Sequence, residues 1–222
     1  MLPVYENVLV LAAHPDDETL GCGATIKKLS LLGSKIRLIV FTDGVSSRGH
    51  SSSSPRNDRQ TLDKVSDILG IHSYCTGNFP DNKMDTVSTL DLCKFVENNV
   101  DFNPDLILTH DSSCLNVDHR AVNNASLTVF RPQHGFKHRI MTYYIPSSTD
   151  YNFNSKFNSN TYVDVGGTYG DKLRCLEDCY AEEMRPWPHS RSIKNVKALM
   201  STWGSEVGIR YAEKFNQLVS IE

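Results

Sequence analysis

Residues 13–18 place one histidine and three carboxylates directly after an apolar run, a combination that indicates chemistry. Residues 8–12 read Val-Leu-Val-Leu-Ala, and the polar segment reads Ala-His14-Pro-Asp16-Asp17-Glu18. Isolated charges are costly to bury, so buried groups of this kind tend to be paired or to hold a metal ion. Open α/β sheets bind ligands at the carboxyl ends of strands, where this segment is expected to lie.

Two further polar clusters follow predicted strands. Thr42-Asp43-Gly44 comes after a strand predicted over 36–41, and a longer cluster over 110–120 comes after a strand predicted over 105–109. Parallel strands place their carboxyl ends on the same side of a sheet. We therefore expect the three clusters to converge on one crevice, which would bring together several imidazoles and carboxylates.

His14 and Asp17, joined by the distant His119, form the ligand set that we predict for one zinc ion. Catalytic zinc takes about three protein ligands and keeps a position for water. Asp16 would remain free to accept a proton from that water, because zinc lowers the pKa of the water towards neutrality. The predicted chemistry is metal-assisted hydrolysis, although sites of this type also accept ferrous iron and cobalt.

The same residues could instead have purely structural roles. Asp16 or Glu18 could cap the helix that follows, since carboxylates favour a helix N-terminus. His119 alone could be a surface histidine or the partner of a ligand. Cys114 would suit a cysteine hydrolase only beside a histidine base and a helix N-terminus, and no pattern places it there.

The elements that must position these residues alternate along the chain, which predicts an α/β fold with a mostly parallel, doubly wound sheet and helices on both faces. Strands are predicted over 8–13, 36–41, 71–75, 105–109, 139–145 and 162–165. Helices are predicted over 19–32, 57–69, 86–100, 119–129, 168–183 and from 192 onward, with a Ser-rich loop over 44–54. We predict one domain over 1–222, whose part from about 131 forms a lobe over the active site.

Composition narrows the choice of partners. The 222 residues carry a formal charge of −3, without the basic patch that nucleic acid or a membrane surface would favour. No apolar stretch is long enough to span a bilayer, and the first six residues lack the features of a signal peptide, so we expect a cytoplasmic protein. The six cysteines are expected to be free thiols, and a homo-oligomer is compatible with the sequence.

Residues 13–18 resemble the AHPDDE signature of the PIG-L / LmbE-like zinc-dependent N-deacetylases. Residues 116–120 (Asn-Val-Asp-His-Arg) resemble that family's second metal motif, and 188–192 and 211–215 resemble two of its C-terminal elements. The resemblance implies a Rossmann-like fold and a zinc site of His14, Asp17 and His119, with Asp16 as the general base. It also implies a substrate that is an N-acetylated amino sugar, commonly a GlcNAc conjugate.

Two catalytic assignments follow from departures in these motifs. Many members have histidine where this chain has Asn116, and asparagine can donate a hydrogen bond to an oxyanion but cannot act as an acid at neutral pH. We therefore predict Asn116 as an oxyanion donor. The leaving amine would take its proton from Asp16 or from His189.

Four residues are predicted to contact the substrate, each with a structural alternative. Asp43 could bind a sugar hydroxyl or stabilise a turn. The resemblance implies a sugar contact for Asp81, which could otherwise stabilise a turn, and a substrate contact for Arg59, which could otherwise lie at the surface. Arg191 suits an anionic group of the substrate. Two other functions remain open. One is a zinc amidase with a non-sugar N-acyl substrate, and the other is a catalytically idle carbohydrate- or nucleotide-binding module.

Overall fold

One seven-stranded sheet organises the chain, in a computed structural model that describes residues 4–42, 59–133 and 137–220. The strands are β1 Asn7–Ala12, β2 Lys35–Thr42, β3 Ser73–Phe79, β4 Leu106–His110, β5 Arg139–Tyr143, β6 Thr161–Asp164 and β7 Ala212–Ser220. The helices are α1 Asp17–Leu31, α2 Arg59–Leu69, α3 Thr89–Asn99, α4 Val117–Val129, α5 Tyr169–Asp178 and α6 Ile193–Glu206. Short 3₁₀ turns lie at Met84–Thr86 and Ala181–Glu183.

The strand order is β3-β2-β1-β4-β5-β7-β6, and the five strands from β3 to β5 are parallel. Strand β7 pairs antiparallel with both β5 and β6. The order reverses between β1 and β4, which makes their carboxyl ends the topological switch point where α/β sheets bind ligands. The predicted α/β class with a mostly parallel sheet is confirmed.

Strand β1 lies in the interior of the sheet and is apolar and buried from Val8 onward because both of its faces are covered. Val8, Val10 and Ala12 point into one hydrophobic cluster, built with α1, α2, α5 and α6. Leu9 and Leu11 point into the other cluster, built with α3 and α4. The two layers of helices hold β1 rigidly, so the residues that follow it are placed precisely enough for chemistry.

The prediction that a helix runs from 192 to the end of the chain is wrong after Glu206. Helix α6 ends there, and Gly208 adopts a φ of +75°, a left-handed conformation that glycine tolerates without strain. The chain then turns back as β7, because pairing with β5 on one side and β6 on the other satisfies its backbone groups. Of the helices among the described residues, none is both long enough and apolar enough to cross a membrane.

Candidate active site

The turn after β1 presents its polar side chains at the switch point between β1 and β4. Asp16 occupies the N-cap of α1 with a φ of 106°, and the N–H of Asp17 donates to the carbonyl of His14 (3.3 Å). The Glu18 carboxylate accepts the N–H of Asp16 (3.1 Å), which holds this left-handed turn from the helix side. All of these residues are buried, so their charges must be balanced by protein groups or by an ion.

Three donor atoms form a compact triangle, which we call the tripod: Nδ1 of His14, Oδ2 of Asp17 and Nε2 of His119. The Asp17 oxygen lies 3.1 Å from the His14 nitrogen and 3.3 Å from the His119 nitrogen, and the two nitrogens are 3.3 Å apart. A tetrahedral zinc ion with bonds of about 2.0–2.1 Å requires ligand atoms roughly 3.3–3.4 Å apart. The tripod therefore has the spacing of a tetrahedral metal site with one free position.

The second oxygen of Asp17 strengthens this interpretation. Oδ1 is buried and has no hydrogen-bond partner among the described residues. Burial opposes the ionised form of Asp17, but electrostatic interactions and hydrogen bonds with the imidazoles of His119 and His110 outweigh it and hold the pKa of this carboxyl well below its usual range. A buried carboxylate that is ionised and only partly satisfied is suited to binding a cation.

Asp118 orients His14 from the side opposite the tripod. Its Oδ2 lies 3.0 Å from His14 Nε2, and its two oxygens accept the backbone N–H groups of Asn82 (2.6 Å) and Met84 (2.9 Å). A carboxylate on one imidazole nitrogen keeps the proton there and leaves the other nitrogen free to bind a metal. The sequence analysis did not assign a role to Asp118, although it lies within the 116–120 motif and next to His119.

Asp118→Asn is expected to weaken metal binding by about 10- to 100-fold, the usual effect of losing the partner of a ligating histidine. Asparagine keeps the size of the side chain but cannot supply two anionic oxygens to His14 and the two backbone groups. Metal affinity measured by competition with a chelator checks this result. Asp178→Asn, at an exposed position of α5, is the control, and equal affinities of the two variants would exclude the orienting role.

Three carboxylates surround the ring of His14. Asp81 is the third, with Oδ1 at 3.2 Å from His14 Nε2, and it is buried. Burial alone would lower the pKa of His14, but hydrogen bonds with Asp118, Asp17 and Asp81 outweigh it and raise that pKa well above 6.5. Positive charge is thus stabilised at this position, whether a proton or a metal ion provides it.

His119 is the opposite case, because burial lowers its pKa to about 3 and keeps it neutral. Its Nδ1 lies 3.1 Å from Sγ of Cys114, and its ring stacks on His110 with the centroids 4.0 Å apart. A neutral imidazole is the form that binds a metal. His110 had no predicted role, yet its Nε2 accepts the N–H of Ala13 (2.9 Å) and it supports the ring of a tripod ligand.

Asp16 is separate from the tripod and contacts Arg191 instead. The Arg191 guanidinium donates to Oδ2 of Asp16 (3.1 Å) and lies 3.8 Å from Glu183. Burial disfavours the charged guanidinium, but Asp16 and the other carboxylates nearby outweigh it and raise the pKa of Arg191 above its ordinary value. The structure thus brings Arg191, predicted as a substrate contact, onto the carboxylate predicted as the base.

Asn116 and His189, the two other predicted catalytic residues, both make hydrogen bonds within the protein. Asn116 is the N-cap of α4, where its Oδ1 accepts the N–H of Asp118 (2.8 Å) and its amide donates to Asn82 (3.2 Å). The amide carries a second hydrogen that can still donate, and the assignment of Asn116 as oxyanion donor stays a prediction. His189 is half-buried, and its Nδ1 accepts the N–H of Arg191 (3.0 Å).

Of the other three residues predicted to contact the substrate, one lies in the site, one lies at the surface and one lies outside the described residues. Asp81 lies in the site, against His14. Arg59 is exposed at the first residue of α2, and in the described part of the chain no hydrogen bond or ion pair joins its side chain to the tripod. Asp43 lies outside the described residues. A role for these three residues in substrate binding stays a prediction.

Comparison with known proteins gives a family match over the part of the chain that contains the tripod. Residues 9–130 match the family described as PIG-L, GlcNAc-PI de-N-acetylase. The chain is also similar to the uncharacterised deacetylase YaiS of Escherichia coli strain K12, with 30% identity over 133 residues, which are 57% of this chain and 69% of that protein.

Solved structures share the fold at lower identity. An N,N′-diacetylchitobiose deacetylase from Pyrococcus horikoshii superposes with a TM-score of 0.74 and 21% identity, over 96% of this chain and 84% of that one. A 4-carboxy-2-hydroxymuconate hydratase from Pseudomonas putida KT2440 superposes with a TM-score of 0.72 and 16% identity, over 98% of both chains. The fold alone thus carries more than one reaction, so the reaction must be argued from the site.

Proposed function

The chain belongs to the PIG-L family of deacetylases, and from that premise we propose that it is a zinc-dependent hydrolase that removes the acetyl group from an N-acetylated amino sugar. The observation that carries the proposal is the tripod of His14, Asp17 and His119, with Asp16 beside it but outside it. Three ligands and a carboxylate outside the ligand set are what hydrolysis by an activated water requires.

The proposed roles of the residues follow from their contacts. His14, Asp17 and His119 would hold the ion, which when bound lowers the pKa of water towards neutrality and polarises a carbonyl. Asp16 would accept the proton as the water oxygen bonds to the acetyl carbon. Asp16 would then pass this proton to the nitrogen as the C–N bond breaks, which yields acetate and a free amine.

Arg191 is proposed to set the position of the base. Its contact with Oδ2 of Asp16 fixes the carboxylate with a charged hydrogen bond, a strong and directional interaction. Arg191 lies next to Ser190, whose hydroxyl donates to Asp150 in the segment after β5. The C-terminal part of the chain thus supplies the contact to the side chain that would act on the water.

The substrate is proposed from the family and from the P. horikoshii deacetylase, which is named for N,N′-diacetylchitobiose, a diacetylated amino sugar. Zinc is proposed from the donor set, since two imidazoles and one carboxylate in a tetrahedral arrangement suit it. Ferrous iron and cobalt fit the same donors. We propose no nucleic-acid or membrane partner and a cytoplasmic location, and a homo-oligomer is compatible with the proposal.

The experiment that tests the proposal measures acetate and free amine released from a panel of N-acetyl compounds, with the metal content of the protein known. We expect release from N-acetylglucosamine conjugates and none from N-acetyl amino acids. Release from the amino acids alone would favour the amidase with a non-sugar substrate. Binding of the sugars with no release at any metal content would identify a non-catalytic binding module.

A further inference from the structure

Helix α1 is interrupted five residues after it begins. Cys22 has a φ of −144° and a ψ of 19°, which lie outside the helical region, while the residues on both sides belong to the helix. An interruption of this kind leaves carbonyls before it and N–H groups after it without partners inside the helix. Residues 17–26 are all buried, so other protein groups must pair with them.

Lys172 and Glu213 are the groups that bind the two broken ends. Glu213 accepts the N–H of Ala24 with one carboxylate oxygen (3.2 Å) and the N–H of Thr25 with the other (2.7 Å). Lys172 donates to the carbonyl of Leu20 (2.8 Å) and to Glu213 itself (2.6 Å). One ion pair, supplied by α5 and β7, thus joins the segment before the interruption to the segment after it.

The pair is deeply buried, with side chains that are 1% and 0% exposed. Removing two charges from water is expensive, and apolar residues of similar size often replace a buried ion pair without loss of stability. Stability alone is therefore a weak reason for this pair. Three hydrogen bonds join the pair to the interrupted backbone and one joins its two side chains, which indicates that the pair specifies a geometry.

What the pair specifies is the placement of the first turn of α1, which carries the tripod ligand Asp17. Gly21 packs so closely on the ring of Tyr143 that a Cβ at this position would overlap it. The Tyr143 hydroxyl donates to the carbonyl of Leu11 in β1 (2.7 Å), and its ring contacts that of His110 (4.8 Å between centroids). The interruption therefore lets the first turn lie against the strand end and the imidazoles of the site.

We propose that Lys172 and Glu213 are positioning residues for the metal site, because they hold the two halves of α1 in the relative orientation that places Asp17 in the tripod. The proposal rests on the metal site proposed above and concerns residues that do not touch the ion. It gives a function to the glutamate of the 211–215 motif, which the sequence analysis left without one.

The test compares two double variants that both lack the ion pair. Lys172→Met/Glu213→Met removes the partners of the Leu20 carbonyl and of the Ala24 and Thr25 N–H groups. Lys172→Met/Glu213→Gln keeps one amide oxygen that can accept an N–H of the interrupted backbone. Leu176→Ala, at a buried position one turn further along α5, is the control for a general loss of stability.

Zinc affinity is measured by competition with a chelator, at a temperature where all variants are folded, and amide hydrogen exchange is measured at Ala24 and Thr25. The Met/Met variant is expected to bind zinc about 10- to 100-fold more weakly than wild type, the scale of losing a supporting contact of a metal site. Its two amides are expected to exchange faster. The Met/Gln variant is expected to lie between it and wild type, and Leu176→Ala to keep the wild-type affinity.

Equal zinc affinities of the Met/Met variant and wild type would overturn the proposal, as would a Leu176→Ala variant that loses as much affinity. If the Met/Met variant does not fold, Glu213→Gln alone replaces it, and a wild-type affinity in that variant is the contradicting result. A wild-type protein that binds no zinc would refute the metal site itself, which is a different outcome from any of these.

Discussion

Asp16→Asn is expected to keep the metal and to lower kcat by about two to four orders of magnitude, the usual scale of general acid–base catalysis. The carboxylate lies outside the tripod, so the ligand set is unchanged. Asparagine can still accept the hydrogen bond from Arg191, which preserves the position of the side chain but removes its basicity. Acetate release at saturating substrate, on protein of known metal content, checks this result.

Asp17→Asn is the matched comparison, because it makes the same chemical change one residue further along the chain. This variant should lose metal affinity, since Asp17 supplies a tripod atom and lies within 3.1–3.3 Å of both ligand nitrogens. If Asp16→Asn lost the metal and Asp17→Asn kept it, the two roles would be reversed. Full activity in Asp16→Asn would show that another group takes the proton.

Replacing either tripod histidine is the other change for which we expect a large loss of activity. His14→Ala and His119→Ala are each expected to lose most of the bound metal, because two protein ligands cannot replace three. A metal ion contributes several kcal/mol to transition-state stabilisation. Since each 1.4 kcal/mol or so is a factor of ten in rate, kcat/KM should fall by at least about a thousandfold.

His72→Ala is the control for the histidine variants, because His72 is exposed in the connection between α2 and β3. It should keep the wild-type metal content and rate. Metal content is measured by elemental analysis of protein purified without chelators, and thermal unfolding confirms that each variant is folded. Metal retention at the wild-type level in both His14→Ala and His119→Ala would exclude the tripod.

The sequence predicted the centre of this molecule well because local patterns determine it. An apolar run followed by a polar cluster marks the end of a buried parallel strand, and this happens at residues 8–18 and again at 105–120. The sheet topology then places these two ends side by side at the switch point. The convergence of His14, Asp17 and His119 follows from that topology.

The contacts that orient these residues could not be predicted, because they depend on which side chain points at which ring, and the strand and helix patterns do not specify that. Asp118 reaches His14 across 104 positions, and Arg191 reaches Asp16 across 175. Asp118 also depends on the backbone of 82–84, whose N–H groups point at it only in the folded turn. No local pattern in the sequence distinguishes such a carboxylate from one at the surface.

Strand β7 shows the limit of periodicity near the end of the chain. Its residues carry a weak apolar signal, and its strand conformation comes from two neighbouring strands rather than from its own sequence. Gly208 was the available signal, because a glycine shortly after a helical segment marks its end. The strand matters for the site, since it supplies Glu213 to the interruption in α1.

The measurement that tests the central claim most directly is acetate release by metal-stripped protein during stepwise addition of zinc. The substrate is the N-acetylated amino sugar that the panel identifies as best. We expect no release from the stripped protein, followed by a rate that rises in proportion to zinc and levels off at about one ion per chain, as for one site with three protein ligands. A stripped protein that is already fully active, or a rate that stays at zero throughout the titration, would contradict the claim.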